Sequence, residues 1–265
     1  MAAERRGAAV EIVALRKEYV SVAGSVVALS DINLRVSAGE FVCIVGPSGC
    51  GKSTLLRILA GLDTQSSGTI TVDAAGWPVQ NAMVFQESGL FPWMSVATNV
   101  GFGLMTRGVA PAEAAERVEA ALKLVGLTKF RNHYPHQLSG GMRQRSAIAR
   151  AFVTDPGMLL MDEPFAALDA QNRVILQAEL VRIWEQTGKT VIYVTHSIEE
   201  ALLLGDRTVV MTAQPGRIKQ IIDVPFPHPR NLMTLSASAE FGRMKLDIWR
   251  VLEEEVMQAR AEEEG

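Results

Sequence analysis

Several things are scarce in this chain, and each scarcity excludes something. Of 265 residues only two are cysteine, Cys43 and Cys50. Two cysteines alone make no zinc site, and a disulfide between them is not expected in a reducing compartment. No apolar run approaches the ~18 residues needed to cross a bilayer, so a membrane role has to come through a partner. Charge of one sign is missing too: 26 basic residues face 29 acidic ones, for a net charge of −3. The basic residues are scattered, which removes the electrostatic case for binding nucleic acid. The acidic cluster at the tail, Glu253-Glu-Glu255 and Glu262-Glu-Glu264, reads as a solvated end. The first residues, Met-Ala-Ala-Glu-Arg-Arg-Gly, lack the apolar core of a signal peptide. The expected compartment is therefore the cytosol. Neither an internal repeat nor a low-complexity linker is visible.

What is present is concentrated at one place. Gly46, Pro47, Ser48, Gly49, Cys50, Gly51, Lys52 and Ser53, followed by Thr54, match the phosphate-cradling pattern G-x-x-x-x-G-K-[ST]. The apolar run 41–45 in front reads as a short buried strand, and residues 54–60 behind read as a helix start. That order is the context the motif requires. Glycines let the backbone curl so that successive N–H groups converge on one anion, and the helix end adds its partial positive charge. Lys52 can then reach the β- and γ-phosphates, and the Ser53 hydroxyl can ligate Mg²⁺. Inside such a loop the Cys50 thiol is expected to favour its thiolate.

Periodicity supplies the frame. Residues 10–16 and 26–36 read as antiparallel strands with a turn near Ala23-Gly24, and 68–72 as another strand. Short buried strands are expected at 82–85, 158–161, 190–194 and 208–211. Helices are expected at 112–125, 141–153, 171–186, 198–204 and 241–256. Strands alternating with helices imply an α/β fold with a parallel sheet covered on both faces. The section from about residue 88 to 156 is mostly helical and interrupts the strand series. The expected division is a P-loop NTPase core at 1–87 and 157–230 with an N-terminal antiparallel β subdomain, an inserted helical subdomain at 88–156, and a helical tail at 231–265.

A second glycine-rich segment, Leu138-Ser-Gly-Gly-Met-Arg-Gln144, lies far downstream, followed by the apolar run 158–161 and Asp162-Glu-Pro164. In this order and spacing the chain resembles the ATP-binding cassette family, the ATPase subunits of membrane transporters, over roughly residues 10 to 225. The resemblance implies ATP and Mg²⁺ as cofactors. It implies that Asp162 holds Mg²⁺, through water or alongside Ser53, and that Glu163 is the general base for the attacking water. Gln86, at the end of the strand 82–85, resembles the family's metal- and water-sensing glutamine. His196 resembles its switch histidine, and Tyr19 the aromatic that stacks on adenine. Leu168-Asp169 resembles the loop that crosses the dimer interface, although Ala166 stands where the family has serine. Ser139, Gly140 and Gly141 form another anion-binding helix start. One ATP does not need two of these, and in the family the second caps the γ-phosphate of ATP held by a second copy.

Residues 88–95, Ser-Gly-Leu-Phe-Pro-Trp-Met-Ser, carry apolar side chains that are costly to expose uncovered. The family receives a coupling helix of the membrane subunit in this region. Leu90-Phe-Pro-Trp93 and Pro225-Phe-Pro-His-Pro229 are similar to importers of nitrate, sulfonate or taurine. The reading is therefore an importer ATPase, peripheral on the cytoplasmic face of the inner membrane. It is a homodimer through composite ATP sites, with a membrane permease as partner, a substrate-binding protein as indirect partner and no nucleic acid. Rival readings are a soluble cassette ATPase acting on nucleic acid or the ribosome, a module that binds ATP without turnover, and a lone P-loop kinase. The first lacks visible heptad arms, zinc cysteines or a second cassette. The second is opposed by Glu163, Gln86 and His196, and the third leaves residues 138–144 without a role.

Overall fold

The computed structural model describes residues 7–22, 24–74 and 80–263. Its centre is β3 (Phe41–Val45), buried at every position, as a continuous apolar run with both faces covered should be. β3 lies between β7 (Thr190–Val194) and β8 (Arg207–Met211), with β6 (Met158–Asp162) beyond β7 and β5 (Asn81–Val84) beyond β6. These neighbours pair in parallel. A sixth strand, β9 (Ile218–Asp223), closes the order β5-β6-β7-β3-β8-β9 and runs antiparallel to β8. The sequence does not announce β9. It is an edge strand with no fully buried position, so it lacks the apolar run that marks its neighbours.

A second sheet, of order β2-β1-β4, joins β1 (Ala9–Ser21), β2 (Gly24–Val36) and β4 (Ser67–Asp73), all antiparallel. Gly24 opens β2 at φ 130°; Ala23, the other half of the expected turn, lies outside the described residues. Val10, Ile12, Leu15 and Ile32 of this sheet pack on Val42, Ile44, Leu160 and Ile192 of the parallel sheet, with α1 (Lys52–Leu59) supplying Leu55 and Leu56.

The opposite face carries the helical insertion: α2 (Val96–Thr106), α3 (Pro111–Leu124) and α4 (Gly140–Phe152). One apolar cluster runs from Phe41 and Met161 of the sheet to Val100, Leu122 and Phe152 of these helices. α2 is absent from the sequence expectation because Gly101 and Gly103 lower its helix propensity. The structure shows what they are for. A Cβ at Gly101 would meet Val118 Cγ2 at 3.0 Å, and one at Gly103 would meet Thr154 Cγ2 at 2.9 Å. The glycines let α2 pack closely. Asn99, fully buried on α2, donates to the carbonyls of Phe91, Met94 and Ser95 and accepts from the Phe91 N–H. It fixes the turn that presents Trp93.

α5 (Ala170–Thr187) and α6 (Ile198–Leu204) complete the parallel-sheet layers, followed by the short α7 (Leu232–Ser236), also unanticipated, and the long α8 (Ala239–Glu263). Among the described residues no helix is long and apolar enough to cross a membrane.

Candidate active site

Because β3, β7 and β6 are adjacent and parallel, their C-terminal ends lie side by side. The loop of residues 46–54 follows β3, Thr195-His196 follows β7, and Asp162-Glu163 ends β6. Ligands bind in the crevice beyond such strand ends. Here a cleft of about 360 Å³ is lined by Ala28, residues 48–54, Glu163 and His196.

The loop depends on its glycines. Gly49 and Gly51 have φ of 75° and 94°, in the left-handed region that other residues avoid. A Cβ on Gly51 would meet Leu29 Cδ2 at 2.6 Å and the Ala28 carbonyl oxygen at 2.8 Å. Gly51 starts α1, and no side chain caps that start. The first N–H groups of a helix have no intrahelical acceptor, so this start is suited to an anion. Lys52 is buried, its Nζ donating to the carbonyls of Gly46 at 2.9 Å and Pro47 at 2.8 Å. Ammonium and helix start thus share one concave loop.

Ser53 Oγ donates to Asp162 Oδ1 at 3.0 Å. Burial lifts the Asp162 carboxyl above its ordinary value and the Glu163 charge adds to this, while the Ser53 bond, Arg57 and Lys52 oppose it. Among the described residues no cluster of three or more His, Cys, Asp and Glu side chains could hold an ion. A hydroxyl and a carboxylate in contact are, however, the hard oxygen donors Mg²⁺ takes when phosphates and water complete its shell. The donor set fits that ion.

Glu163 has φ 45°, a left-handed backbone that strains a non-glycine residue. Its N–H is held by the Val194 carbonyl at 3.0 Å. Its Oε2 lies 3.1 Å from His196 Nδ1. A carboxylate fixed by the strand end and contacted by an imidazole has the form of a general base with its orienting partner.

Other expected site residues lie elsewhere. Gln86 does not line this cleft; it lines a second cavity of about 420 Å³ with Ser88, Gly140, Arg143, Gln144 and Leu168. Ser139 caps α4, its Oγ accepting from the Met142 N–H at 3.3 Å, and neither it, Gly140 nor Gly141 lines the cleft of its own chain. Asp169 caps α5, accepting from the Asn172 N–H at 3.0 Å and from Asn172 Nδ2 at 2.7 Å. These bonds hold its carboxyl below the ordinary value. Tyr19 is exposed on β1, its hydroxyl bonded to Asp63 Oδ2 at 2.7 Å and its ring under Lys17 Nζ at 4.6 Å. The expected Cys50 thiolate is corrected: the side chain is fully buried, and burial raises the thiol above its ordinary value despite the nearby Lys52.

The sequence reading missed Glu200. It lies inside α6, buried, accepting from Gln177 Nε2, Tyr193 Oη and Thr195 Oγ1. Two adjacent acids, Glu199 and Glu200, stand in the first turn of α6, and only the fold shows that the second is the buried one.

Comparison with known proteins decides the family. A family model described as ABC transporter matches residues 29–166. The chain belongs to the ABC transporter family. It is 48% identical over 235 residues to an uncharacterised ABC transporter ATP-binding protein of Methanocaldococcus jannaschii, covering 88% of this chain and 86% of that protein. It is 46% identical over 220 residues to the nitrate import ATP-binding protein of a Synechocystis species, covering 82% and 83%. The taurine import ATP-binding protein of Roseobacter denitrificans is 42% identical over 239 residues, covering 87% and 89%. An ATP-binding cassette solved as a dimer in a post-hydrolysis state, bound to ADP and Pi, superposes with a TM-score of 0.71 at 32% identity. That match covers 82% of this chain and 100% of the other. The protein is an ATP-binding ATPase of this family.

Proposed function

We propose that this ABC ATPase powers import of a small solute through a separate membrane permease, as a homodimer with shared ATP sites. One observation carries the hydrolytic part of the reading. The Ser53–Asp162 bond and the Glu163–His196 pair meet at one cleft, against a loop that carries Lys52.

The division of labour follows from the chain's own groups. The N–H groups of residues 46–54 and the Lys52 ammonium bind the ATP phosphates. Ser53 and Asp162 hold Mg²⁺, which when bound neutralises developing phosphate charge. Glu163 accepts a proton from the attacking water, and His196 holds its carboxylate in the direction of that water. Tyr19 stacks on the base, a contact that gives affinity without much discrimination. Gln86 reports the state of the cleft to the inserted subdomain at 88–156, whose loop it begins. Ser139, Gly140 and Gly141 of each copy cap the γ-phosphate in the other, with Asp169 at the shared interface. The core comprises 1–87 and 157–230, and 231–265 is the tail.

The permease reading is supported by the turn at 91–95. Phe91 packs on Phe102 with ring centroids 4.8 Å apart, while Trp93 stays 70% exposed on a turn held by the buried Asn99. An exposed indole on a fixed turn suits a partner helix. Such a subunit is peripheral at the cytoplasmic face of the membrane. Relatives named for nitrate and taurine import favour nitrate, a sulfonate, taurine or a related anion as cargo, delivered by a binding protein.

The test is Glu163→Gln. ATP hydrolysis should fall by roughly 10²-fold or more while ATP binding, followed with a fluorescent nucleotide, persists. Turnover near that of the unmodified protein would remove Glu163 from the mechanism.

A further inference from the structure

Among the buried acids the mechanism above leaves idle, Glu200 is the one beside the His196 turn. Glu200 Oε2 accepts from Thr195 Oγ1 at 2.6 Å and from Tyr193 Oη at 3.0 Å, and its Oε1 accepts from Gln177 Nε2 at 3.0 Å. Its own N–H is held by Ser197 Oγ at 3.3 Å. Three residues, from β7, the following turn and α5, therefore converge on one side chain. A buried carboxylate needs such a set of donors to be tolerated at all, but their placement goes beyond tolerance.

The turn in question holds His196. Thr195 Oγ1 donates to Glu200 and at the same time accepts from the Ser197 N–H at 3.0 Å. The residues on both sides of His196 are thus fastened to Glu200, one directly and one through the same hydroxyl. The imidazole itself is exposed, and its one side-chain hydrogen bond among the described residues is to Glu163. The ring's direction is then set chiefly by the backbone turn that carries it; Glu200 holds that turn through Thr195 Oγ1, beside the bond from the Thr195 N–H to the Ile44 carbonyl at 3.1 Å. Gln177 extends the chain of contacts into α5, the helix that begins at its Asp169 cap.

We propose that Glu200 is a positioning residue for hydrolysis: through Thr195 it fixes the turn that aims His196 at Glu163, and through Gln177 it ties that pair to the helix beginning at Asp169. The proposal rests on the reading of Glu163 and His196 as the hydrolytic pair.

The test compares steady-state ATP hydrolysis and nucleotide affinity of the full chain for Glu200→Ala, Glu200→Gln, Thr195→Val, His196→Ala, and Glu200→Ala combined with His196→Ala. Misplacing a catalytic group by about 1 Å can cost on the order of 10²-fold. Glu200→Ala and Thr195→Val should each lower kcat at least about 10-fold, with KM and ATP affinity unchanged within about 2-fold. Glu200→Gln should recover most of the loss. Its amide oxygen still accepts from Tyr193 and Thr195, and the Gln177 amide can turn to accept from its nitrogen. In the His196→Ala background, Glu200→Ala should cost little more, because residues acting through one another are not additive.

A merely structural role gives a different pattern. Loss would then be additive with His196→Ala, and KM, kcat and thermal stability would worsen together. Thr195→Val cuts the same link by deleting one hydroxyl, so it decides the matter should Glu200→Ala not fold. If His196→Ala lowers kcat while Glu200→Ala and Thr195→Val leave it unchanged, the positioning role is wrong and the hydrolytic pair stands. If His196→Ala itself leaves kcat unchanged, the pair is wrong and the positioning role falls with it.

Discussion

Two glycine-rich segments lead into helices in this molecule, residues 46–53 into α1 and residues 138–144 into α4, and they are built differently. The first is locked into its own chain. Gly51 has φ 94° and no room for a Cβ, Lys52 is buried, and Ser53 is bonded to Asp162 of another strand. The second is finished locally and left open. Ser139 caps its own helix, and a Cβ on Gly140 would touch nothing nearer than Leu168 Cδ2 at 3.7 Å. Glycine is required at Gly51 by the fold of one chain. At Gly140 the fold of one chain makes no such demand, which leaves the requirement to whatever closes over that surface. The same contrast separates the sheet end from the insertion as a whole: one assembles a cleft, the other faces outward.

The largest expected effect breaks the contrast at its strongest point. Gly51→Ala combines a left-handed backbone with a contact under 3 Å and should destabilise the isolated chain by at least about 2 kcal/mol, with loss of ATP binding. Gly140→Ala should leave chain stability within about 0.5 kcal/mol and weaken ATP-dependent dimerisation instead. Thermal melts and nucleotide titrations of the two variants check this. Equal destabilisation by both would erase the distinction.

A smaller effect sharpens the outward-facing side. Trp93→Ala removes an exposed indole from a turn that Asn99 holds independently. Co-purification with the permease should fall while the melting temperature of the isolated chain stays within about 2 °C, the shift expected of a change near 0.5 kcal/mol. A drop in melting temperature matching the loss of association would place Trp93 in the core of the insertion.

The smallest effect concerns the contact of Asp63, which follows α1, with Lys17 and Tyr19 of β1. The hydrogen bond from Lys17, then that from Tyr19, hold the Asp63 carboxyl down at about 2, against an ordinary value of 3.8. A folded-state value below the unfolded one means the contribution is full above pH 3.8 and is lost as pH falls through about 2. The stability difference between the unmodified chain and Asp63→Asn should therefore close over that window. A difference independent of pH there would show that Asp63 is not held by these partners.

What could be read from the sequence follows from how local each signal is. The loop at 46–54 and the strands β3, β6, β7 and β8 are marked by motif or by mainly apolar runs, and the structure has them, and the helix α6, where expected. β9 was illegible because an edge strand buries too little to show a pattern. α2 was illegible because Gly101 and Gly103 answer to Val118 and Thr154, neighbours that only tertiary packing brings close. The resemblance named Asp162 and Ser53 for the same ion; that the two side chains bond each other at 3.0 Å is visible only in the structure. The burial of Cys50, the position of Gln86 beside Gly140 and Gln144, and the network around Glu200 depend on contacts between distant segments. No single stretch of sequence encodes those.

The central claim is that each ATP site takes Lys52 from one copy and Ser139 from the other. Lys52→Ala and Ser139→Arg each disable both sites of a homodimer. Mixing these two single variants puts both lesions in one composite site and leaves the other with an intact Lys52 and an intact Ser139. The measurement is ATP-dependent closure between differently labelled copies, compared with a chain carrying both substitutions mixed with unmodified protein. Shared sites require closure to recover in the first mixture and to fail in the second, where each site carries one lesion. Recovery in the second mixture and none in the first would mean that each site is complete within one chain, and would contradict the account.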